Sequence, residues 1–133
     1  SGFIFAYLLG GGSAPRIQEF TVADTEVLSE GELCNLESGE ITAAVTADTA
    51  LVGAAQEAVD NTADGGTIKV ISDPTAVYSV VDANARAVGA TLDIGAGGLT
   101  VAASSNADLI VVEDSTATEP TLVTFAGSHF LQL

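Results

Sequence analysis

From Ile17 onward the chain is built of short runs in which apolar side chains alternate with polar ones, each closed by glycine, aspartate or proline. Ile17-Gln-Glu-Phe-Thr-Val22 has the period of a half-buried strand. Leu33 to Leu36, the turn Ser38-Gly39, and Ile41 to Val45 follow, then Leu51 to Ala55 running towards Val59. The loop Asp60 to Gly66 opens Thr67 to Ile71, and Asp73-Pro74 separates that strand from Ala76 to Val81. Thr91 to Ile94, the turn Gly95-Ala-Gly-Gly98 and Leu99 to Ala102 read as a hairpin. Leu109 to Val112 is continuously apolar, which predicts burial on both faces; Thr121 to Phe125 and His129 to Leu133 complete the set. Helical signals are weak, with one or two turns over Asp82 to Val88 and an ambiguous Ala54 to Val59, kept open by the many alanines. The pattern predicts a mainly β fold, a small antiparallel barrel or sandwich.

Residues 1–15 break this pattern. Phe3-Ile-Phe-Ala-Tyr-Leu-Leu9 is a run of seven apolar residues, followed by Gly10-Gly-Gly-Ser-Ala-Pro15. It falls short of the roughly 20 residues of a spanning helix, and no basic stretch marks it as a secretory signal. The reading is an extended apolar arm and Gly-rich linker over 1–15, ahead of a β-domain over 16–133. Phe3, Ile4, Phe5, Tyr7, Leu8 and Leu9 are the expected partner-binding residues, docking between chains, with Arg16 at the junction of arm and body. The alternative is that the segment tucks onto its own domain. Phe3, Phe5, Tyr7, Phe125 and Phe130 all lie in the terminal segments, so the termini are expected to dock, on each other or on another chain.

Charge narrows the function more than motifs do. Three basic residues, Arg16, Lys69 and Arg86, stand against eighteen acidic ones, for a net charge of −15. Phosphate and anionic lipid both need clustered Lys and Arg, so no nucleic acid and no membrane are expected as partners. Each cation is expected to sit beside carboxylates or at an interface. Cys34 is the single cysteine and lies in an apolar strand without a basic neighbour, which reads as a buried structural thiol. His129 is the single imidazole and no Gly-x-Ser-x-Gly elbow accompanies it, so it reads as a strand-edge or interface histidine. Neither glycine cluster carries the Lys-Ser/Thr of a phosphate loop. Asp60 to Gly65 lacks the spacing and closing Glu of a calcium loop and reads as an acidic turn. The acids of residues 24–40 read as a solvated face that resists edge-to-edge aggregation. No catalytic residue, no cofactor and no metal are expected.

The stretch from Arg16-Ile-Gln-Glu-Phe-Thr-Val22 through Glu30-Gly-Glu-Leu33 to Ser38-Gly-Glu40 resembles the opening of small tailed-phage head proteins. Leu51 to Ala55, Lys69 to Tyr78 and Arg86 to Asp93 fit the same pattern. Together they resemble the capsid decoration, or cement, proteins that stabilise phage heads. The resemblance implies a cofactor-free, non-enzymatic virion protein, made in the host cytoplasm and bound to the capsid exterior. Its implied partners are the major capsid protein and copies of itself, as dimer or trimer. A different class is the alternative: an adhesive or carbohydrate-binding β-module on a virion or cell surface, which a pocket around Tyr78 with converging Asp and Asn would favour.

Overall fold

The structure, a computed structural model, describes residues 2–63 and 65–131. Its described residues contain thirteen strands, no α-helix, and one 3-10 turn, Ala96–Gly98. A six-stranded antiparallel sheet contains β1 (Ile4–Leu8), β9 (Ala76–Val80), β13 (Thr121–Phe125), β12 (Leu109–Val111), β10 (Thr91–Ile94) and β11 (Val101–Ala103), in that order. A five-stranded sheet runs β2 (Ile17–Thr21), β8 (Thr67–Ile71), β6 (Leu51–Ala55), β4 (Leu33–Glu37) and β5 (Glu40–Ala43). A two-stranded ribbon pairs β3 (Val27–Leu28) with β7 (Val59–Asp60). The arrangement is a sandwich of packed sheets rather than a closed barrel.

Local chemistry explains why these pieces turn where they do. Ser38 and Gly39, at φ 52° and 81°, form a two-residue connection from β4 to β5 whose positive φ values match the twist of a hairpin. The hairpin β10–β11 pairs Ile94 with Val101 across the Gly95–Thr100 loop. Gly53 has φ 144° beside a register shift in the β4–β6 pairing, and an added Cβ would lie 1.7 Å from the Ile71 carbonyl oxygen. Only a glycine lets β6 approach β8 so closely.

Two cores hold the layers together. Between the two large sheets lie Leu33, Leu51, Ala54 and Ile71 from one side, and Tyr78, Val80, Leu92, Leu109, Val111, Val123 and Phe125 from the other. Tyr78 packs edge-on against Phe125 at 5.8 Å, and Phe125 lies 5.1 Å from Phe130. On the far side of the five-stranded sheet, Cys34, Ile41, Val52, Ile68 and Val70 meet Val22, the ribbon's Leu28 and, at the margin, Val59. The five-stranded sheet is therefore the middle layer, covered on both faces.

The first strand completes the chain's own sheet, the tuck that the sequence left as the alternative to an arm. β1 pairs with β9 at the sheet edge, slipping register between Phe5 and Tyr7, and the Phe3 amide donates to the Gly31 carbonyl at 2.8 Å. Phe3 is 2% exposed, inside the central core, and Phe5 and Leu8 pack against it. The aromatic termini share one sheet without pairing with each other: β1 and β13 flank β9 on either side. Two further expectations change. His129 to Leu133 is not a strand over its described part; Phe130 makes a single parallel bridge to Leu51, and Gln132 and Leu133 lie outside the described residues. Leu109 to Val112 is buried on one face only, with Ile110 and Val112 half-buried on the other. The segment from Asp82 to Val88 forms no helix; Arg86 instead bridges to Ser115.

Candidate functional site

The expected partner-binding residues divide between core and surface. Phe3, Phe5 and Leu8 point into the chain's own core, whereas Ile4 and Leu9 are 57% and 54% exposed. Tyr7 sits opposite Val77 on the outer face of the six-stranded sheet, and its hydroxyl donates to Glu113 Oε2 at 2.6 Å. That bond to a carboxylate, aided by partial desolvation and by the Glu113 charge, raises the phenol above its usual pKa. Arg16 anchors the start of β2 through its backbone: its N–H donates to Asp73 Oδ2 at 3.1 Å, and its carbonyl accepts from the Ser72 N–H at 3.0 Å. The Thr75 hydroxyl and N–H hold Asp73 below the usual carboxylate range, with a smaller contribution from Arg16.

Polar side chains inside the fold are occupied in holding loops. Asp108 is fully buried. It accepts from Thr46 Oγ1 at 2.8 Å, the Ala47 N–H at 3.0 Å and the Ile94 N–H at 2.9 Å. Its Oδ1 also meets His129 Nδ1 at 3.0 Å. His129 thus contacts an aspartate, but the hydrogen bonds of the described residues bring no serine hydroxyl to its ring. A carboxylate this fully engaged ties the β5–β6 loop, β10 and the C-terminal segment together. Asp93 does the same nearby, accepting from the Asn106 and Ala107 N–H groups at 2.8 and 3.1 Å. Burial opposes its ionisation, but these backbone donors prevail and lower its pKa. Asn61 staples the Asp60–Gly66 loop, donating to the Val22 and Ala23 carbonyls and accepting from the Gly66 N–H. Asp64 of that loop lies outside the described residues.

Cys34 is buried and free, and burial, reinforced by the Glu32 charge, pushes its thiol well up, so it stays protonated. Tyr78 is 1% exposed and donates to the Ile71 carbonyl at 3.1 Å, so it belongs to the core and lines no glycan pocket. Among the described residues, no group of three or more His, Cys, Asp or Glu side chains is placed to hold a metal ion.

The six-stranded sheet carries the surface feature that sequence reasoning missed. Its inward positions fill the central core, and strand alternation turns Ser79, Leu122, Thr124, Ile110 and Val112 outward. Ile4 joins them as the register partner of Ser79. Val81, just past β9, is 78% exposed. Beside it lies an open groove of about 500 Å³ walled by Ser79, Val81, Asp82, Ala83, Ala117 and Pro120. Arg86 neutralises Asp82 through an Nε–Oδ2 contact of 2.6 Å. Burial pushes the Asp82 carboxyl up, but Arg86 and the Thr121 hydroxyl together outweigh it and lower its pKa. The neighbouring Glu113, Asp114 and Glu119 are exposed. The signal for this face was present in the unbroken Leu109–Val112 run, although the run alone does not say which face is covered.

No family model matches the sequence, and neither does any curated protein. Among solved structures, the fold is similar to the crystal structure of the N base of head fiber gp8.5 in bacteriophage phi29. The two share 20% sequence identity at a TM-score of 0.57, over 88% of this chain and 100% of that one, a likeness that shows a common fold.

Proposed function

We propose that this chain is a structural protein of a phage head, attached to the exterior of the shell and without enzymatic activity. The observation that carries the reading is the fold likeness to a head-fiber base, which spans 88% of the chain and the whole of the other. The resemblance of residues 16–40 to head proteins rests on turn and strand motifs and points the same way. The chemistry of the chain is compatible with such a role. Its histidine and buried carboxylates are engaged in tying loops, and its thiol is held protonated in the core.

The finer reading is that of a decoration or cement protein, whose partner is the major capsid protein and which associates with copies of itself. The surplus of carboxylates would keep the exposed side soluble and discourage unwanted strand pairing. Purified full chain mixed with phage heads that lack it tests the proposal. Saturable co-sedimentation with the heads, and a higher temperature of head disruption when the chain is bound, are expected. Failure to sediment with the heads would overturn the attachment, and binding without added head stability would reduce the role from cement to ornament.

A further inference from the structure

We propose that the outer face of the six-stranded sheet, centred on Leu122 and the groove beside Val81, docks a protein surface with an apolar centre framed by lysine or arginine. The inference rests on the reading above, which makes that surface the exterior of the phage head shell.

An antiparallel sheet with one wet face normally alternates apolar-in with polar-out. Here the outward positions of β12 and the residue after it are Ile110 and Val112, and those of β13 are Leu122 and Thr124. The register joins them: Val112 donates its N–H to the Leu122 carbonyl, Leu122 faces Ser79, and Ser79 faces Ile4. The result is a row of half-buried or exposed apolar side chains, interrupted by Ser79, that ends at the groove and at Val81, which is 78% exposed and the most exposed large apolar side chain among the described residues. Apolar side chains gathered on one face beside a groove mark an interaction surface, whereas scattered single exposures do not.

Charge identifies the occupant. The exposed Glu113, Asp114 and Glu119 rim the stripe, and the nearby cation, Arg86, is already held by Asp82. A second copy of the same face would bring these carboxylates against one another in a chain of net charge −15. Like charges so juxtaposed oppose association, whereas a basic rim would be attracted and would steer the encounter. The apolar stripe then supplies the buried centre and the acids the selective edge.

The experiment measures binding of the full chain to heads that lack it, comparing wild type with Val81→Asp, Leu122→Asp and Val27→Asp. Val27 is 55% exposed on the ribbon, beyond the other core, so it adds the same charge on the opposite side. Melting curves confirm that each variant is folded; Val81→Asp, at so exposed a site, keeps the test valid should Leu122→Asp fail to fold. Weakening of about tenfold or more for Val81→Asp, wild-type binding for Val27→Asp, and weaker binding as salt rises are the expected results. Val81→Asp binding within about twofold of wild type would overturn the face while leaving attachment to the head intact. Wild type that does not bind heads at all would overturn both readings. A self-associating wild type that Val81→Asp renders monomeric, with head binding unchanged, would assign the face to a second copy and overturn the basic partner.

Discussion

The two large sheets use the same alternation to opposite ends. In the five-stranded sheet, neighbouring residues of one strand enter different cores: Leu33 and Leu51 turn to the central core, Cys34 and Val52 to the one beneath the ribbon. In the six-stranded sheet only one set has a core to enter. Val123 and Phe125 are buried centrally, whereas Leu122 and Thr124, which alternate with them, remain half-buried on the outer face. Both sheets are apolar on two sides, yet the outer face of the six-stranded one is covered only in part, as at Val77, fully buried opposite Tyr7. An apolar strand position is therefore evidence of contact in the folded chain only when a layer lies above it; where none does, the position is available to a partner.

The comparison is broken most severely at Gly53. A Cβ there would clash with the Ile71 carbonyl, and φ 144° disfavours any L side chain. Gly53→Ala should cost on the order of 2–6 kcal/mol, combining overpacking with backbone strain. A melting temperature close to wild type would show that the middle layer can shift, and that its two-sided packing is less constrained than the geometry implies.

Paired truncations sharpen the contrast between covered and open faces. Ile68→Ala empties a fully buried position of the middle sheet and should cost about 2–5 kcal/mol. Leu122→Ala, on the open face, should cost about 1 kcal/mol or less, because water already reaches that side chain. Urea denaturation of both variants measures the difference. Equal losses would mean that the outer face is as well packed as the inner one.

The smallest expected effect concerns pH, where the two sheets again differ in sign. Asp82 and Asp93, at the edge and within the six-stranded sheet, have pKa values lowered by their donors. Their contribution is present above the usual carboxylate value of 3.8 and lost as pH falls through the lower folded value. Glu32, beside the five-stranded sheet, is raised, first by burial and further by Glu26, against the Ser29 N–H bond that lowers it. Its ionised form therefore costs stability above the usual value of 4.5, a cost that falls away as pH drops through the raised folded value. Thermal melts at neutral pH should show Glu32→Gln at or slightly above wild type and Asp82→Asn below it. The reverse order would contradict both assignments.

Much of the β architecture was legible because its signals are local. Alternation located β2, β4, β6, β8, β9, β10 and β13 within a residue or two, and the Ser38-Gly39 turn announced its hairpin. The ribbon of β3 and β7 was not legible, since two-residue strands carry no period to read. The glycines after the N-terminal run suggest an arm; in the fold, pairing with β9 and burial of Phe3 hold it despite that loose tether. The polar ties at Asp108 and Asn61 were likewise invisible, because their partners come from distant segments: Thr46, Ile94 and His129 in one case, Val22 and Ala23 in the other.

The amino-acid order thus determined the strand class, most strand positions, the acidic surface and the poverty of catalytic groups. Each of these follows from side-chain period, turn conformation or simple counting, properties that need no neighbour in space. Tertiary structure alone decided which sheet each strand joined, that the five-stranded sheet became the covered middle layer, and that Leu122, Val112 and Ile110 were left facing outward. A strand presents two faces of equal period, and only packing against another layer makes one of them the inside.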